Sequence, residues 1–132
     1  APAVSPSLKL VQSYSREKFM IGNISYPHDI LVRDECVEPL GFEFTDYADL
    51  LKSPQINALA GRIDVLLVGL GTHFKPLSWD DRTLLRGLGF TIDAMDVGAA
   101  CRTYNIMAME GRLVAALLTL PKTPRHPALS AP

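Results

Sequence analysis

The apolar positions change rhythm near the middle of the chain. In the first half they fall in short β-prone runs separated by turn signals. Residues 8–14 and 18–21 read as strands, and Gly22-Asn23 as a turn before Ile24-Ser25-Tyr26. Pro27-His28-Asp29 marks a second turn. Residues 30–33 then form a strand, and residues 36–40 a weaker one closed by Pro39 and Gly41. Residues 45–52 predict a short helix, with Thr45 as its cap and Tyr47, Leu50 and Leu51 on one apolar face. Pro54 is expected to stop it.

In the second half the runs become continuous. Residues 64–70 (DVLLVGL) are what a strand covered on both faces requires. Residues 80–88 predict a helix, with Ser78 or Asp80 at its start and Gly87 and Gly89 at its end. Residues 90–95 form a second strand. A helix of about ten residues follows, with Gly111 where a left-handed stop is needed. Residues 113–120 form the last strand. This β-α-β-α-β order predicts an α/β layered sheet with β-hairpins added on its N-terminal side.

A chain of 132 residues is one domain by length. The pattern places that domain at residues 8–120, between a Pro/Ser-rich tail at 1–7 and a Pro-rich tail at 121–132 (PKTPRHPALSAP), both expected to be flexible. Lys and Arg (13) nearly balance Asp and Glu (14), and a net charge of -1 supplies no field to gather nucleic acid or anionic lipid. The two cysteines, Cys36 and Cys101, do not make a disulfide framework, which points to a reducing compartment, the cytoplasm of a bacterial cell. With His28, His73 and His126 scattered and no Cys-x-x-Cys pair, no metal site is read and no cofactor is implied. The longest apolar stretches, 65–70 and 113–120, are too short to span a bilayer, and the opening APAVSPSLKL lacks a signal-peptide pattern.

Two segments invite chemistry. Gly69 and Gly71 follow a strand as Gly-x-Gly, with Asp93 about twenty residues on, as in a dinucleotide-binding turn. The third glycine position is Phe74, and Pro76 keeps a helix from starting there, so a tight turn needing small residues is the simpler reading. With His73 and Trp79, these glycines form a candidate loop at a strand's carboxyl end, where ligands and partners dock. Trp79 can equally cover the edge of the core.

The second segment is residues 96–112, DVGAACRTYNIMAMEGR. Asp96 can cap the helix. Cys101 near its start, with Arg102 beside it, has two reasons to favour thiolate. Arg102 and Asn105, and Cys101 and Asn105, are spaced to share a face, while Tyr104, Met107 and Ala108 supply a buried stripe. A nucleophile at Cys101 lacks a base nearby in sequence, and a free cysteine is more often a small core residue. Arg112 can satisfy the last helix carbonyls and pair with Glu110 or Asp96, or it can line an anion-binding groove.

The string from Met95 to Asn105, together with Glu110-Gly111-Arg112-x-Val-Ala-Ala, resembles the family whose eukaryotic member is mitochondrial complex I (NADH dehydrogenase) assembly factor 3. A turn at Gly22 to Tyr26 and the strand-plus-glycine segment at 65–71 are similar too, and the resemblance covers about residues 8–120. It implies a three-layer α/β fold. The central mixed sheet would have five strands in the order 2-1-5-3-4, strand 5 antiparallel, with helices on both sides. It implies no enzymatic activity and hence no catalytic residues. Asp96, Cys101, Arg102, Thr103, Tyr104, Asn105, Glu110, Gly111 and Arg112 occupy the signature positions. Val97 departs from the pattern, where many relatives carry Thr, and a mitochondrial targeting extension is not visible. Two functions follow as expectations. One is a non-catalytic domain that binds another protein during biogenesis of a membrane complex. The other is a small-ligand-binding or thiol-dependent enzyme built on Cys101 and Arg102.

Overall fold

The computed structural model describes residues 7–72 and 75–121. Three short strands open it: β1 (Val11–Tyr14), β2 (Phe19–Ile21) and β3 (Ile24–Tyr26) form an antiparallel sheet in that order. Its second turn holds Gly22 and Asn23 at φ 60° and 64°, the left-handed region that Gly and Asn tolerate best. The strands β4 (Ile30–Arg33) and β5 (Cys36–Pro39) follow as a hairpin.

Two short helices come next, and both differ from expectation. Helix α1 (Ala48–Lys52) is capped by neither Thr45 nor any other side chain on its N-cap residue. Asp49 instead reaches back and accepts from the backbone N–H groups of Thr45 and Asp46 and from the Thr45 hydroxyl, at 2.9–3.0 Å. These donors, the Thr45 backbone N–H first among them, hold the Asp49 carboxyl below its ordinary range. Pro54 does not merely end α1. It opens a second helix, α2 (Pro54–Asn57), where its fixed φ suits the first turn, and Ser53 caps it by accepting from the Ile56 N–H at 3.1 Å.

The remainder alternates strand and helix. Strand β6 (Val65–Leu70) leads to α3 (Trp79–Leu85), which starts with a reciprocal capping box between Ser78 and Asp81. One turn of 3-10 helix (Arg86–Leu88) and Gly89 at φ 91° end it. Strand β7 (Thr91–Asp96) runs directly into α4 (Val97–Met109), which has 13 residues, more than the pattern suggested. Strand β8 (Val114–Leu118) closes the fold.

The main sheet has the order β5-β4-β8-β6-β7. Numbered within the sheet, that is the expected 2-1-5-3-4. The direction of the last strand differs from expectation: β8 is parallel to β6 and antiparallel only to β4. The reversed strand is therefore β4, which is antiparallel to both of its neighbours. The physical reason lies in α4. A full-length crossover helix returns β8 to run alongside β6, whereas β4 and β5 are joined by a tight hairpin that must reverse the chain.

Side chains along the central strands alternate between two cores. Leu31, Leu66, Val68, Ala115 and Leu117 face α1, α2 and α3, packing on Tyr47, Leu50 and Leu85. Ile30, Val32, Leu67, Ala116 and Leu118 face α4 and the small sheet, packing on Tyr104, Ala100 and Phe19. All five residues of β8 are buried, as a mid-sheet strand covered on both faces must be. The chain is thus a three-layer α/β structure, with the small sheet and α4 sharing one outer layer.

Candidate functional site

The signature segment folds as a strand, cap, helix, stop and strand, and the side chains of Asp96, Tyr104 and Asn105 have internal partners. Asp96 caps α4, its Oδ1 accepting from the Ala99 N–H at 2.9 Å. At the other end, the Gly111 N–H donates to Ala108 and the Arg112 N–H to Met107, both at 3.0 Å, with Gly111 at φ 78°. This is the paired closure that a left-handed glycine permits. Among the described residues the ion pairs are Arg33–Asp34 and Lys75–Asp46, so Arg112 acts at the helix end through its backbone, without pairing to Glu110 or Asp96.

Cys101 does not sit where a thiolate would form. It is the fifth residue of α4, points into the core and is 3% exposed. Burial pushes its thiol up to about 12, against the opposing pull of Arg102, so it is a neutral core residue at physiological pH. Arg102 lies on the exposed side of the helix, so Cys101 and Arg102 do not converge on a cleft.

Tyr104 and Asn105 tie the small sheet to α4. The Tyr104 hydroxyl donates to the Lys9 carbonyl at 2.8 Å, and burial raises the phenol's pKa. Asn105 makes a two-point clamp. Its Oδ1 accepts from the Val11 N–H and its Nδ2 donates to the Val11 carbonyl, each at 2.9 Å. Because β1 is an edge strand, these outward-facing peptide groups would otherwise need another partner, and the amide side chain takes the place of a neighbouring strand.

Thr103 and Arg112 reach the wall of a shallow cavity of about 310 Å³ beside the β7 edge. Asp64 and Asp93 line it as well, so carboxylates outnumber the one guanidinium and the groove does not suit an anion. Glu110 is exposed.

The Gly-x-Gly segment also proves architectural. A Cβ on Gly69 would lie 2.7 Å from the Ala100 Cβ and 3.2 Å from the Val97 Cα, so this glycine lets α4 pack directly on β6. A Cβ on Gly71 would meet the Thr119 carbonyl oxygen, and would lie 2.7 Å from the Pro121 nitrogen. Both glycines are packed against protein backbone or helix, not held open for a phosphate. Thr119 bolts the two strand ends together: its hydroxyl donates to the Gly69 carbonyl and accepts from the Gly71 N–H, both at 3.0 Å. Of the other loop candidates, Trp79 is the first residue of α3 and is 75% exposed, so it does not cover the core. His73 lies outside the described residues, as do 1–6 and 122–132, most of the two segments expected to be tails.

Sequence reading missed a cavity of about 370 Å³ at the carboxyl ends of β6 and β8. Phe44, Tyr47, Leu70 and Leu120 form its apolar walls, while Glu43, Asp46 and Lys75 supply charge. Phe44 and Tyr47 meet edge to face, with ring centroids 5.7 Å apart. The Tyr47 hydroxyl donates to the Lys75 carbonyl, and its pKa is raised to about 12, first by burial and then by the charge of Asp81. The Lys75 Nζ is 4.0 Å from the Asp46 Oδ1, with both side chains largely exposed. Only the strand-end glycines hinted at this place, because its lining comes from three separated stretches. Among the described residues no cluster of His, Cys, Asp and Glu could hold a metal ion, and no helix is long and apolar enough to cross a membrane.

With this geometry in place, the relatives can be set beside it. An uncharacterised protein of Rhodobacter capsulatus is 32% identical over 112 residues, spanning 84% of this chain and 85% of that one. NADH dehydrogenase [ubiquinone] 1 alpha subcomplex assembly factor 3 of Xenopus tropicalis is 27% identical over 126 residues, spanning 93% of this chain and 68% of that one. Among solved structures, a Bordetella parapertussis protein is 34% identical with a TM-score of 0.71, over 92% of this chain and all of that one. A Bordetella pertussis protein described as a Mth938-like domain has a TM-score of 0.71 at 25% identity, over 96% and 95% of the two chains. An outer membrane protein from Bartonella henselae has a TM-score of 0.71 at 26% identity, over 89% and 98%. Residues 11–119 match the family described as protein of unknown function (DUF498/DUF598), and the chain belongs to that family.

Proposed function

We propose that this chain is a non-catalytic interaction domain of a bacterial cytoplasm that binds a protein subunit during biogenesis of a membrane complex. One observation carries the reading: Asp96, Tyr104 and Asn105 of the signature have structural jobs, while the last turns of the same helix present exposed apolar side chains. Asp96, Tyr104 and Asn105 each bond to backbone, and Cys101 is buried. Ile106 and Met109 on α4, and Leu113 just past it, are 59%, 55% and 48% exposed. Large apolar side chains grouped at one helix end are more in keeping with a partner face than with a reaction centre. The relatives named assembly factor 3 agree with this direction. A thiol-dependent reaction at Cys101 is disfavoured by the burial of its sulfur.

The test is affinity capture from native lysate with the wild-type chain and with an Ile106→Asp/Met109→Asp variant. Subunits of a membrane-bound complex should be retained by the wild type and lost by the variant, with the fold intact by circular dichroism. Recovery of only soluble metabolic enzymes, or equal retention by both proteins, would overturn the proposal.

A further inference from the structure

The exposed face of α4 carries charge as well as apolar surface, and the charges are ordered. Arg102, Ile106 and Met109 follow one another at helical spacing, so they form one stripe along the outside of the helix, which Leu113 continues past its end. All four are exposed, and so is Glu110 beside them. Among the described residues neither Arg102 nor Glu110 has an ion-pair partner. Tyr14 of β1, 44% exposed, extends the stripe at its other end. A Cβ on Gly98 would meet the Tyr14 hydroxyl and lie 3.3 Å from the Arg102 Nη1, so the ring and the guanidinium share the space over this glycine. Tyr and Arg are residue types that dominate the energetics of protein interfaces.

The order of the charges selects the occupant. Ile106 lies midway between Arg102 and Glu110 in sequence. A second α4 laid antiparallel across a twofold axis at Ile106 brings Arg102 of each copy level with Glu110 of the other. Two opposite-charge pairs then flank the Ile106 contact, and Met109 comes level with Thr103. Arg112 comes level with the buried Ala100 and meets no like charge. A parallel arrangement would set Arg102 against Arg102 and Glu110 against Glu110. The stripe is therefore complementary to itself, as a twofold contact requires.

We infer that two copies of this chain associate through this face, antiparallel α4 on α4. The inference rests on the reading of this helix end as a partner face. It adds what fills the face when no subunit does: a second copy, which an incoming subunit must displace. The contact is small. A few side chains fall short of the roughly 800 Å² per partner of a standard interface, so the Kd for association should be on the order of 0.1 mM.

Sedimentation equilibrium of the full chain from about 0.02 to 1 mM brackets that Kd and should show a monomer passing to a dimer. Ile106→Asp, at a site outside the core, should leave only monomer, with the fold intact by circular dichroism. Arg102→Glu or Glu110→Arg alone should weaken association about tenfold, since each turns two attractive pairs into two repulsive ones. Neither change opposes the helix dipole, so α4 itself is kept. The double variant exchanges the two signs and should recover association to within about threefold of the wild type. A monomer at every concentration, a dimer indifferent to Ile106→Asp, or a double variant no stronger than the single ones would overturn the inference. Capture from dilute lysate is read where the chain is monomeric. A monomeric chain that still retains subunits defeats only the self-association, and a dimer that retains none defeats only the subunit reading.

Discussion

Changing Asn105 to Asp tests the clamp between α4 and the small sheet with a single atom exchange. In the native protein the amide gives one hydrogen bond to the Val11 carbonyl and receives one from its N–H, each at 2.9 Å. Asp keeps the accepting oxygen. Its second oxygen replaces the donating nitrogen and faces the carbonyl lone pairs in a half-buried setting. The lost bond is worth about 1 kcal/mol, and leaving two acceptors opposed costs about 1–3 kcal/mol more. At neutral pH, Asn105→Asp should therefore lose about 2–4 kcal/mol of stability. The loss should depend on pH. Opposed to a carbonyl, the carboxyl has a raised pKa in the folded state relative to about 3.9 in the unfolded chain. A raised folded pKa contributes stability that is present below the unfolded value and disappears as pH rises through the folded value. Protonated, the new side chain donates to Val11 and restores most of the clamp, so the deficit should shrink by about 1 kcal/mol or more near pH 4.5. Urea denaturation of both proteins in parallel near pH 7.5 and pH 4.5 measures the difference at each. A deficit equal at the two pH values, or no deficit at pH 7.5, would refute the clamp as a paired donor and acceptor.

Two further outcomes follow from the same geometry. Cys36 is exposed and Cys101 buried, so a thiol reagent near pH 8 should modify one cysteine in the native chain and both in denaturant. With its thiol raised from 9.0 to about 12 by burial, Cys101 contributes stability that is complete below pH 9 and lost as pH climbs through that window; two native thiols reacting at equal rates would contradict this placement. Gly69→Ala should cost about 1–3 kcal/mol in thermal or chemical unfolding, because the new methyl meets the Ala100 Cβ at 2.7 Å and the Val97 backbone at 3.2 Å. Gly98→Ala should be near neutral: it meets only the movable ends of Tyr14 and Arg102, and alanine gains up to about 1 kcal/mol of helix propensity. Equal losses for the two would count against the close packing of α4 on β6.

What the sequence revealed depended on how local the signal was. The run at 64–70, the cap at Asp96 and the stop at Gly111 were legible because each obeys a rule satisfied within a few residues. Pro54 ends α1 as expected, but that it also begins α2 is not legible, because a proline that ends one helix and one that begins the next look alike until Ser53 is seen to cap the Ile56 N–H. The reversal falls on β4 and not on the last strand because orientation follows from the connections, a hairpin at β4–β5 and a crossover at α4, which the apolar pattern does not encode. Asn105 was grouped with Cys101 and Arg102 by helical spacing, whereas its partner, Val11, is 94 residues away. The cavity left almost no trace, since Phe44, Leu70, Lys75 and Leu120 meet only when β6 and β8 lie side by side.

The position of β8 also has a consequence for how the chain reaches its native state. It follows every other strand in sequence, yet it lies between β4 and β6 and joins the β4–β5 hairpin to the β6–β7 pair. Without it, the hairpin and the parallel pair share no ladder, and each leaves an apolar edge unpaired. On a ribosome, the nascent chain therefore cannot complete its main sheet until residue 118 has cleared the exit tunnel. Until then its central strands are open edges of the kind that chaperones cover and aggregates recruit. Completion of the sheet thus waits on the last strand of the fold, and a chain truncated just before Val114 should be unfolded instead of forming a smaller stable core.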